Sequence, residues 1–176
     1  LTVYAFAKGF TIPEDLRANG VAAITRPDLR WMRCDIKTVN LLPNVMAKQA
    51  AVDAGAWEAV LVRNGVITEG SATNVFGVID GEIRTHPKSN FILPGITRDI
   101  VIDLAHELGL PVRETPIFLD QVPDLDEMFF TGTTTDVQAI VELDGQKIGS
   151  GKVGPVTRQL LGALTEKMNS LRSAAV

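Results

Sequence analysis

Lys37 and Glu69 are the two side chains of this sequence whose types could together support covalent chemistry on a small molecule. A lysine amine held between apolar residues loses hydration, so its pKa falls and the free amine can attack a carbonyl to form a Schiff base. An ionised acid beside a ring nitrogen keeps that nitrogen protonated, which lets the ring accept electrons. The pair therefore predicts a site for an aldehyde cofactor that carries a ring nitrogen.

Each of these side chains also has a simpler explanation when it is taken alone. A lysine on a strand is usually a solvated edge residue, and Glu69, which precedes Gly70, is typical of a turn carboxylate. The polar residues that follow, Ser71, Thr73 and Asn74, can fix either the local backbone or a cofactor. The apolar neighbours of Lys37, and the helix predicted to follow it, favour the catalytic interpretation.

Two further segments have the composition of a phosphate site. In the run from Leu93 to Asp99, Gly95 lets the backbone approach a ligand closely, and Thr97 is predicted to begin a helix whose free N–H groups attract an anion. The run from Thr131 to Thr135 surrounds a glycine with hydroxyl groups at a predicted strand end. An ordinary helix start capped by Thr97 and a plain turn remain the alternatives. With Lys37 and Glu69, these segments predict a pyridoxal-phosphate enzyme.

The hydrophobic pattern predicts alternating strands and helices with many hairpins, which indicates a mixed α/β (α+β) domain. Asn64-Gly65 predicts a tight turn between two strands. The predicted strands are 21–25, 31–39, 58–63, 66–68, 75–79, 82–85, 112–115, 128–131 and 137–143, and a strand is also expected over 1–7. The predicted helices are 40–55, 97–108, a short one at 119–125, and 156–168.

Composition limits the class of protein. The chain has 176 residues, of which 45% are hydrophobic and 22% charged, as in an ordinary water-soluble domain. No apolar run is long enough to cross a bilayer, and a net charge of -4 argues against nucleic acid as a partner. Its single cysteine, Cys34, fits a cytoplasmic location. We predict no metal site and no membrane partner.

These segments, in this order, resemble the fold-type IV pyridoxal-phosphate enzymes, which include D-amino-acid aminotransferases, branched-chain aminotransferases and aminodeoxychorismate lyases. The likeness runs from about Asp28 to Met168. It implies that Lys37 is the Schiff-base lysine and that Glu69 binds the pyridine nitrogen of pyridoxal 5'-phosphate. It also implies the remaining cofactor contacts: Leu93 on the ring face, the phosphate near Gly95, Ile96, Thr97 and Thr133, and Thr73 beside Glu69.

Within that family, the run from Arg33 to Leu42 followed by Asn44 to Gln49 is most similar to the D-amino-acid aminotransferases. Branched-chain enzymes typically have a tyrosine where this sequence has Leu42, and the lyases a more basic segment near Leu41. The resemblance implies transamination between a D-amino acid such as D-alanine and a 2-oxo acid such as 2-oxoglutarate. The alternatives are a branched-chain or (R)-amine transaminase, a pyridoxal-dependent lyase, and a non-catalytic ligand-binding domain of the same fold.

The resemblance also bears on domain organisation. We expect residues 1–176 to form a single cofactor-binding domain, the C-terminal part of a longer protein. A smaller N-terminal domain of that protein would supply further phosphate and substrate-carboxylate contacts, so this chain alone is expected to show weak or absent turnover. A homodimer is expected as well.

Overall fold

One long sheet organises the computed structural model, which describes residues 2–7, 9, 11 and 13–174. Within the described residues the sheet has ten strands, in the order β6-β5-β4-β8-β9-β1-β2-β3-β7, with β10 paired to β9. Most neighbours are antiparallel, whereas β1 runs parallel to both β2 and β9. The strands are β1 Val21–Pro27, β2 Glu58–Arg63, β3 Val66–Gly70, β4 Asn74–Ile79, β5 Glu82–Thr85, β6 Val112–Glu114, β7 Ile117–Phe118, β8 Glu127–Gly132, β9 Asp136–Leu143 and β10 Gln146–Lys147.

The sheet curls so that strands near its two ends meet. β3 lies next to one end of the strand order and β4 near the other, yet only three residues separate them in the chain. The Gly70 N–H donates to the Thr73 carbonyl at 2.7 Å across this junction. We call residues 69–74 the seam, because this segment closes the curled sheet upon itself.

Helices cover the outer surface of the curled sheet: α1 Glu14–Asn19, α2 Leu42–Asp53, α3 Ile96–Glu107 and α4 Pro155–Ala174, with a 3-10 turn at Leu119–Asp124. α3 and α4 pack over a core that includes the stacked rings of Phe76 and Phe129, 5.0 Å apart. α2 covers β1 and β2 through small residues such as Ala47 and Ala51. A third core, which includes Val60, fills the interior of the curl.

The mixed α/β fold with a hairpin-rich sheet and packed helices is confirmed. The turn at Asn64 and Gly65 forms as predicted, with φ angles of 52° and 76°, and joins β2 to β3. The last helix is longer than predicted, since it begins at Pro155 and ends at Ala174. No described helix is long and apolar enough to cross a membrane.

Two predicted strands are wrong. Residues 31–39 form a loop. β1 already has β2 and β9 on its two edges, so the segment that follows β1 cannot pair there. The last strand-like hydrogen bond before the loop runs from the Asp28 N–H to the Val62 carbonyl. Residues 2–7 have no regular secondary structure, and Leu1 lies outside the described residues. The helix α1 was not predicted, and α2 follows Leu41 rather than the expected Asn40.

Candidate functional site

Glu69 lies at the end of β3 on the seam, and its carboxylate is 4% exposed. The Leu93 N–H donates to both of its oxygens, at 3.1 and 3.0 Å. The side-chain amide of Asn74 donates to Oε2 at 2.9 Å, and the guanidinium of Arg30 pairs with Oε1. Each oxygen therefore accepts two hydrogen bonds, but the Leu93 N–H is shared between them, so a further donor can be accepted when that shared N–H turns to one oxygen.

A buried ion network supports Glu69 from behind. Arg30 forms a two-point pair with Asp28, with Nε–Oδ1 and Nη2–Oδ2 distances of 2.8 Å each, and also donates to the Phe91 carbonyl at 3.0 Å. Arg63 adds a second cation, 3.1 Å from Asp28 Oδ1, and its guanidinium lies over the Phe91 ring. Arg30 is thereby held between two carboxylates, and if it turned away Glu69 would lose its ion pair and Asp28 would keep only Arg63.

The two carboxylates of this network have opposite pKa shifts. Burial raises the pKa of Glu69 to about 7, although the charge of Arg30 and the Leu93 N–H act in the opposite direction. The pKa of Asp28 falls to about 2, because hydrogen bonds and charge from Arg30, with Arg63, outweigh its burial. Glu69 is therefore the carboxylate whose charge a further cationic partner would stabilise most.

Asn74 connects Glu69 to the segment that precedes α3. Its Nδ2 also donates to the Leu93 carbonyl at 2.9 Å, and its Oδ1 accepts from the Gly95 N–H at 3.2 Å. A Cβ added at Gly95 would lie 2.4 Å from that oxygen, so glycine is required here for close approach. The structure thus brings Glu69, Leu93 and Gly95 together in one hydrogen-bonded set.

The N-terminus of α3 presents backbone donors without a side-chain cap. The helix begins at Ile96, one residue before the predicted start, and Gly95 precedes it with no capping side chain. The interpretation of Thr97 as an ordinary helix cap is therefore wrong. Ile96 is 75% exposed, so the N–H groups of this first turn are free to meet an anion from outside.

Hydroxyl groups surround the same end of the sheet. Thr131 lies directly opposite Asn74 in the β4–β8 ladder, so the two side chains share a face. Among the described residues, the buried hydroxyls of Thr73 and Thr131 have no hydrogen-bond partner. Thr133 lies in the turn between β8 and β9 and is exposed. Unpaired buried hydroxyls beside an uncapped helix suit a site for a polar group.

Lys37 does not occupy the apolar setting that the sequence predicted. It lies in the loop between β1 and α2, its side chain is exposed, and it has no hydrogen bond to any residue of the described part of the chain. The apolar residues around it are exposed too: Ile36 is 43% exposed and Val39 96%. The expectation that apolar walls dehydrate Lys37 within this chain is wrong, because the strand that would have formed those walls does not form.

Both ends of the Lys37 loop are nonetheless attached to the Glu69 region. Arg30, which precedes the loop, pairs with Glu69, and Asn44 in the first turn of α2 donates to the Ser71 carbonyl at 2.7 Å. Within the loop, the Cys34 N–H donates to the Asn90 carbonyl at 2.9 Å. These contacts hold the loop that carries Lys37 beside the seam.

Sequence reasoning missed Asp28 and Arg30. The only available signal was an acid and an arginine two residues apart after a buried strand, a spacing that places both on one side of an extended segment. That pattern is common on exposed surfaces, where it has no functional meaning. Burial by the closed sheet gives this pair its role, and closure depends on contacts distant in sequence.

Two cavities flank this region, and neither is lined by Lys37 or Glu69 among the described residues. One of about 430 Å³ includes Thr133, Arg17 and Arg172, and one of about 350 Å³ includes Thr68 and Phe91.

Comparisons with known proteins agree with this architecture. The family model described as amino-transferase class IV matches residues 1–143. D-alanine aminotransferases are similar in sequence: that of Staphylococcus haemolyticus is 42% identical over 171 residues, covering 97% of this chain and 61% of the relative. That of Bacillus licheniformis is 45% identical over 170 residues, covering 97% of this chain and 59% of the relative.

Solved structures give the same result. The branched-chain amino acid aminotransferase of Escherichia coli has a TM-score of 0.80 and 32% identity, over 92% of this chain and 55% of that one. The enzyme of Thermobaculum terrenum, solved in its PLP form, has a TM-score of 0.80 and 30% identity, over 89% of this chain and 53% of that one.

The chain spans about three fifths of the length of the curated relatives it matches. The family match covers most of this sequence, including the loop with Lys37, the seam with Glu69 and the start of α3. The chain belongs to the class IV aminotransferase family.

Proposed function

We propose that the full-length protein is a pyridoxal-phosphate-dependent aminotransferase that exchanges the amino group of a D-amino acid, such as D-alanine, with a 2-oxo acid, such as 2-oxoglutarate. The observation that carries this proposal is a buried, hydrogen-bonded acid next to an uncapped helix and a tethered loop with a lysine. When bound, pyridoxal phosphate supplies a ring that accepts electrons from the substrate α-carbon.

Glu69 would bind the pyridine nitrogen. Three donors already orient its carboxylate, and the ring nitrogen would become a fourth as the Leu93 N–H, now shared between both oxygens, turns to one of them. A protonated ring nitrogen would favour the ionised form of Glu69 and so oppose the rise in its pKa that burial causes. Leu93, whose peptide groups bond to Glu69 and Asn74, would lie against the ring face.

The phosphate would lie at the N-terminus of α3. Because Asn74 already accepts the Gly95 N–H, the donors left for an anion are those of Ile96 and Thr97. The hydroxyl of Thr133 and the unpaired hydroxyl of Thr73 would complete the contacts from this chain. These residues fit a phosphate because they combine neutral donors with a helix end that favours negative charge.

Lys37 would act first as the anchor of the cofactor and then as the base and acid of the reaction. Its Nζ would take the proton from the substrate α-carbon and deliver it to the C4′ carbon of the cofactor. A lysine transfers a proton best when it is buried with few polar neighbours, but the loop that carries Lys37 is exposed in this chain. We infer that other parts of the full-length protein, with the cofactor, cover Lys37.

A smaller N-terminal domain and a second subunit would cover the Lys37 loop. The exposed apolar residues near the loop are suited to such contacts: Leu41 is 51% exposed, Leu42 69% and Val45 60%. The 1–176 segment would then be one cofactor-binding domain of a cytoplasmic homodimer. Alone it would show weak or absent turnover.

The experiment that tests this function is an assay of the full-length protein with D-alanine and with L-leucine, each supplied with 2-oxoglutarate. We expect glutamate formation with D-alanine and much less with L-leucine. A preference for L-leucine would instead support a branched-chain activity, which the similarity to branched-chain enzymes makes the second candidate. Pyruvate release without an amino acceptor would indicate a lyase.

A non-catalytic ligand-binding domain is the alternative from another class. Such a protein would purify colourless and take up no pyridoxal phosphate. Retention of both Lys37 and the costly buried network around Glu69 argues against it.

A further inference from the structure

Both N–H groups of the Asn74 side-chain amide donate and its oxygen accepts one bond, and the partners lie on both sides of the candidate site. Its Nδ2 donates to Glu69 Oε2 and to the Leu93 carbonyl, at 2.9 Å each. Its Oδ1 accepts from the Gly95 N–H at 3.2 Å. Asn74 is 5% exposed, so none of these bonds can be replaced readily by water.

These hydrogen bonds link Glu69, Asn74 and Leu93 in a small closed ring of polar groups. Glu69 accepts from the Leu93 N–H, and the Leu93 carbonyl accepts from the same amide that donates to Glu69. Beyond Gly95 the chain turns at once into the uncapped first turn of α3. A displacement of Gly95 must therefore move Asn74, and a displacement of Asn74 must change a hydrogen bond to Glu69.

Packing leaves Asn74 little freedom to absorb such a displacement. A Cβ at Gly95 would lie 2.4 Å from Oδ1 and 3.7 Å from Cγ of Asn74. The first distance is far shorter than a real contact, so the added carbon would displace the amide from its present geometry, whereas the second is an ordinary contact. Hydrogen bonds linked in a series inside a protein polarise one another, so the effect at one end is felt at the other.

We propose that Asn74 is a positioning residue that couples the anion site at the N-terminus of α3 to the carboxylate of Glu69. The coupling sets the orientation and hydrogen bonding of the acid according to how the helix start is held. It rests on the proposed function, since it assigns the phosphate and the ring nitrogen of one cofactor to the two ends of this set.

The test uses the cofactor-free full-length protein and needs no turnover. The pKa of Glu69 is measured by carbon NMR of labelled glutamate, with Glu69→Gln to assign the signal, and the Kd of inorganic phosphate is measured by calorimetry. Both are compared in the wild type, Gly95→Ala, Asn74→Ala and the double variant. Asn90→Ala, which removes another hydrogen-bonded asparagine, is the matched control.

We expect Gly95→Ala to raise the pKa of Glu69 although it alters no group bonded to that carboxylate, because the displaced amide donates less well to the ionised form. Asn74→Ala should raise it too and weaken phosphate binding about tenfold, the effect of one lost bond to a buried group. In the Asn74→Ala background, Gly95→Ala should change the pKa no further. Asn90→Ala should change neither quantity.

An unchanged Glu69 pKa in Gly95→Ala would overturn the proposal, and this comparison stands even if Asn74→Ala does not fold. Equal pKa changes from Gly95→Ala with and without Asn74 would overturn it as well, since the effect would then not pass through the amide. Failure of the proposed function gives a different result: no pyridoxal-phosphate uptake or turnover, with the coupling intact.

Discussion

The acid side and the amine side of the candidate site are built in opposite ways. Glu69 is 4% exposed, receives three donors and lies where the curled sheet closes. Lys37 lies in an exposed loop and, in the part of the chain described here, has no hydrogen bond. The chain by itself fixes the acid and leaves the amine open, so the acid is preorganised and the amine depends on what covers the loop.

The comparison predicts that Lys37→Ala affects function and not stability. Turnover of the full-length protein should fall by at least about 10²- to 10⁴-fold, the usual contribution of a general base. Its free energy of unfolding, measured by urea denaturation, should stay within about 0.5 kcal/mol of the wild type, because an exposed side chain without partners is lost. Lys152→Ala, another exposed lysine, is the control and should keep full turnover. Strong destabilisation by Lys37→Ala would contradict the open environment described for it.

Arg30→Met tests the opposite side. It removes the shared partner of Asp28 and Glu69, and it should reduce the free energy of unfolding by about 3–5 kcal/mol because buried Glu69 loses its ion pair and buried Asp28 keeps only Arg63. Urea denaturation measures the change. In Arg33→Met the lost pair with Asp35 is exposed, and the cost should stay below about 1 kcal/mol. Similar losses in both variants would mean that burial does not distinguish the two pairs.

The acid side should also set the low-pH limit of stability. The pKa of Asp28 is lowered to about 2 from 3.8, so its contribution is present above pH 4 and is lost as the pH falls towards 2. The free energy of unfolding should fall by about 2 kcal/mol over this range. Asp28→Asn should show no such fall and should be less stable than the wild type at neutral pH. The raised pKa of Glu69 has the opposite effect on stability in a separate range: the free energy of unfolding falls as the pH rises from 4.5 to 7. Unfolding free energies measured from pH 7 to pH 2 would separate them, and parallel curves for the wild type and Asp28→Asn would refute the assignment.

The smallest effect is expected at Thr133, at the exposed edge of the proposed phosphate site. Thr133→Val should weaken binding of inorganic phosphate by about 3- to 10-fold, because one hydrogen bond to the anion is lost. Its stability should be unchanged, since the hydroxyl is exposed. Thr165→Val, in α4, is the control. Unaltered phosphate affinity in Thr133→Val would remove this residue from the site.

Local signals account for the parts of the fold that the sequence predicted well. The turn at Asn64 and Gly65 depends on residues that tolerate positive φ, and α3 depends on a spacing of apolar residues that recurs within twelve positions. The wrong strand at 31–39 had a strand-like composition as well. Composition does not tell whether a segment will find a strand to pair with, because strand order is decided by contacts far along the chain.

The candidate site likewise combines residues that the sequence indicated with neighbours that only the fold brings to them. Lys37, Glu69 and Gly95 were chosen from their residue types, but the donors to Glu69 come from Arg30, 39 residues earlier, and from Leu93, 24 residues later. Only closure of the sheet at the seam makes these neighbours. The role of Asn74 was equally hidden, because a polar residue beside a glycine-containing turn has many ordinary explanations.

The most direct test of the account is a crystal structure of the full-length protein with pyridoxal phosphate. We expect Lys37 Nζ to be bonded to the cofactor and a Glu69 oxygen to lie within about 2.7–3.2 Å of the ring nitrogen, with the phosphate at the N–H groups of Ile96 and Thr97. A ring nitrogen without contact to Glu69, or a cofactor attached to a lysine other than Lys37, would contradict it.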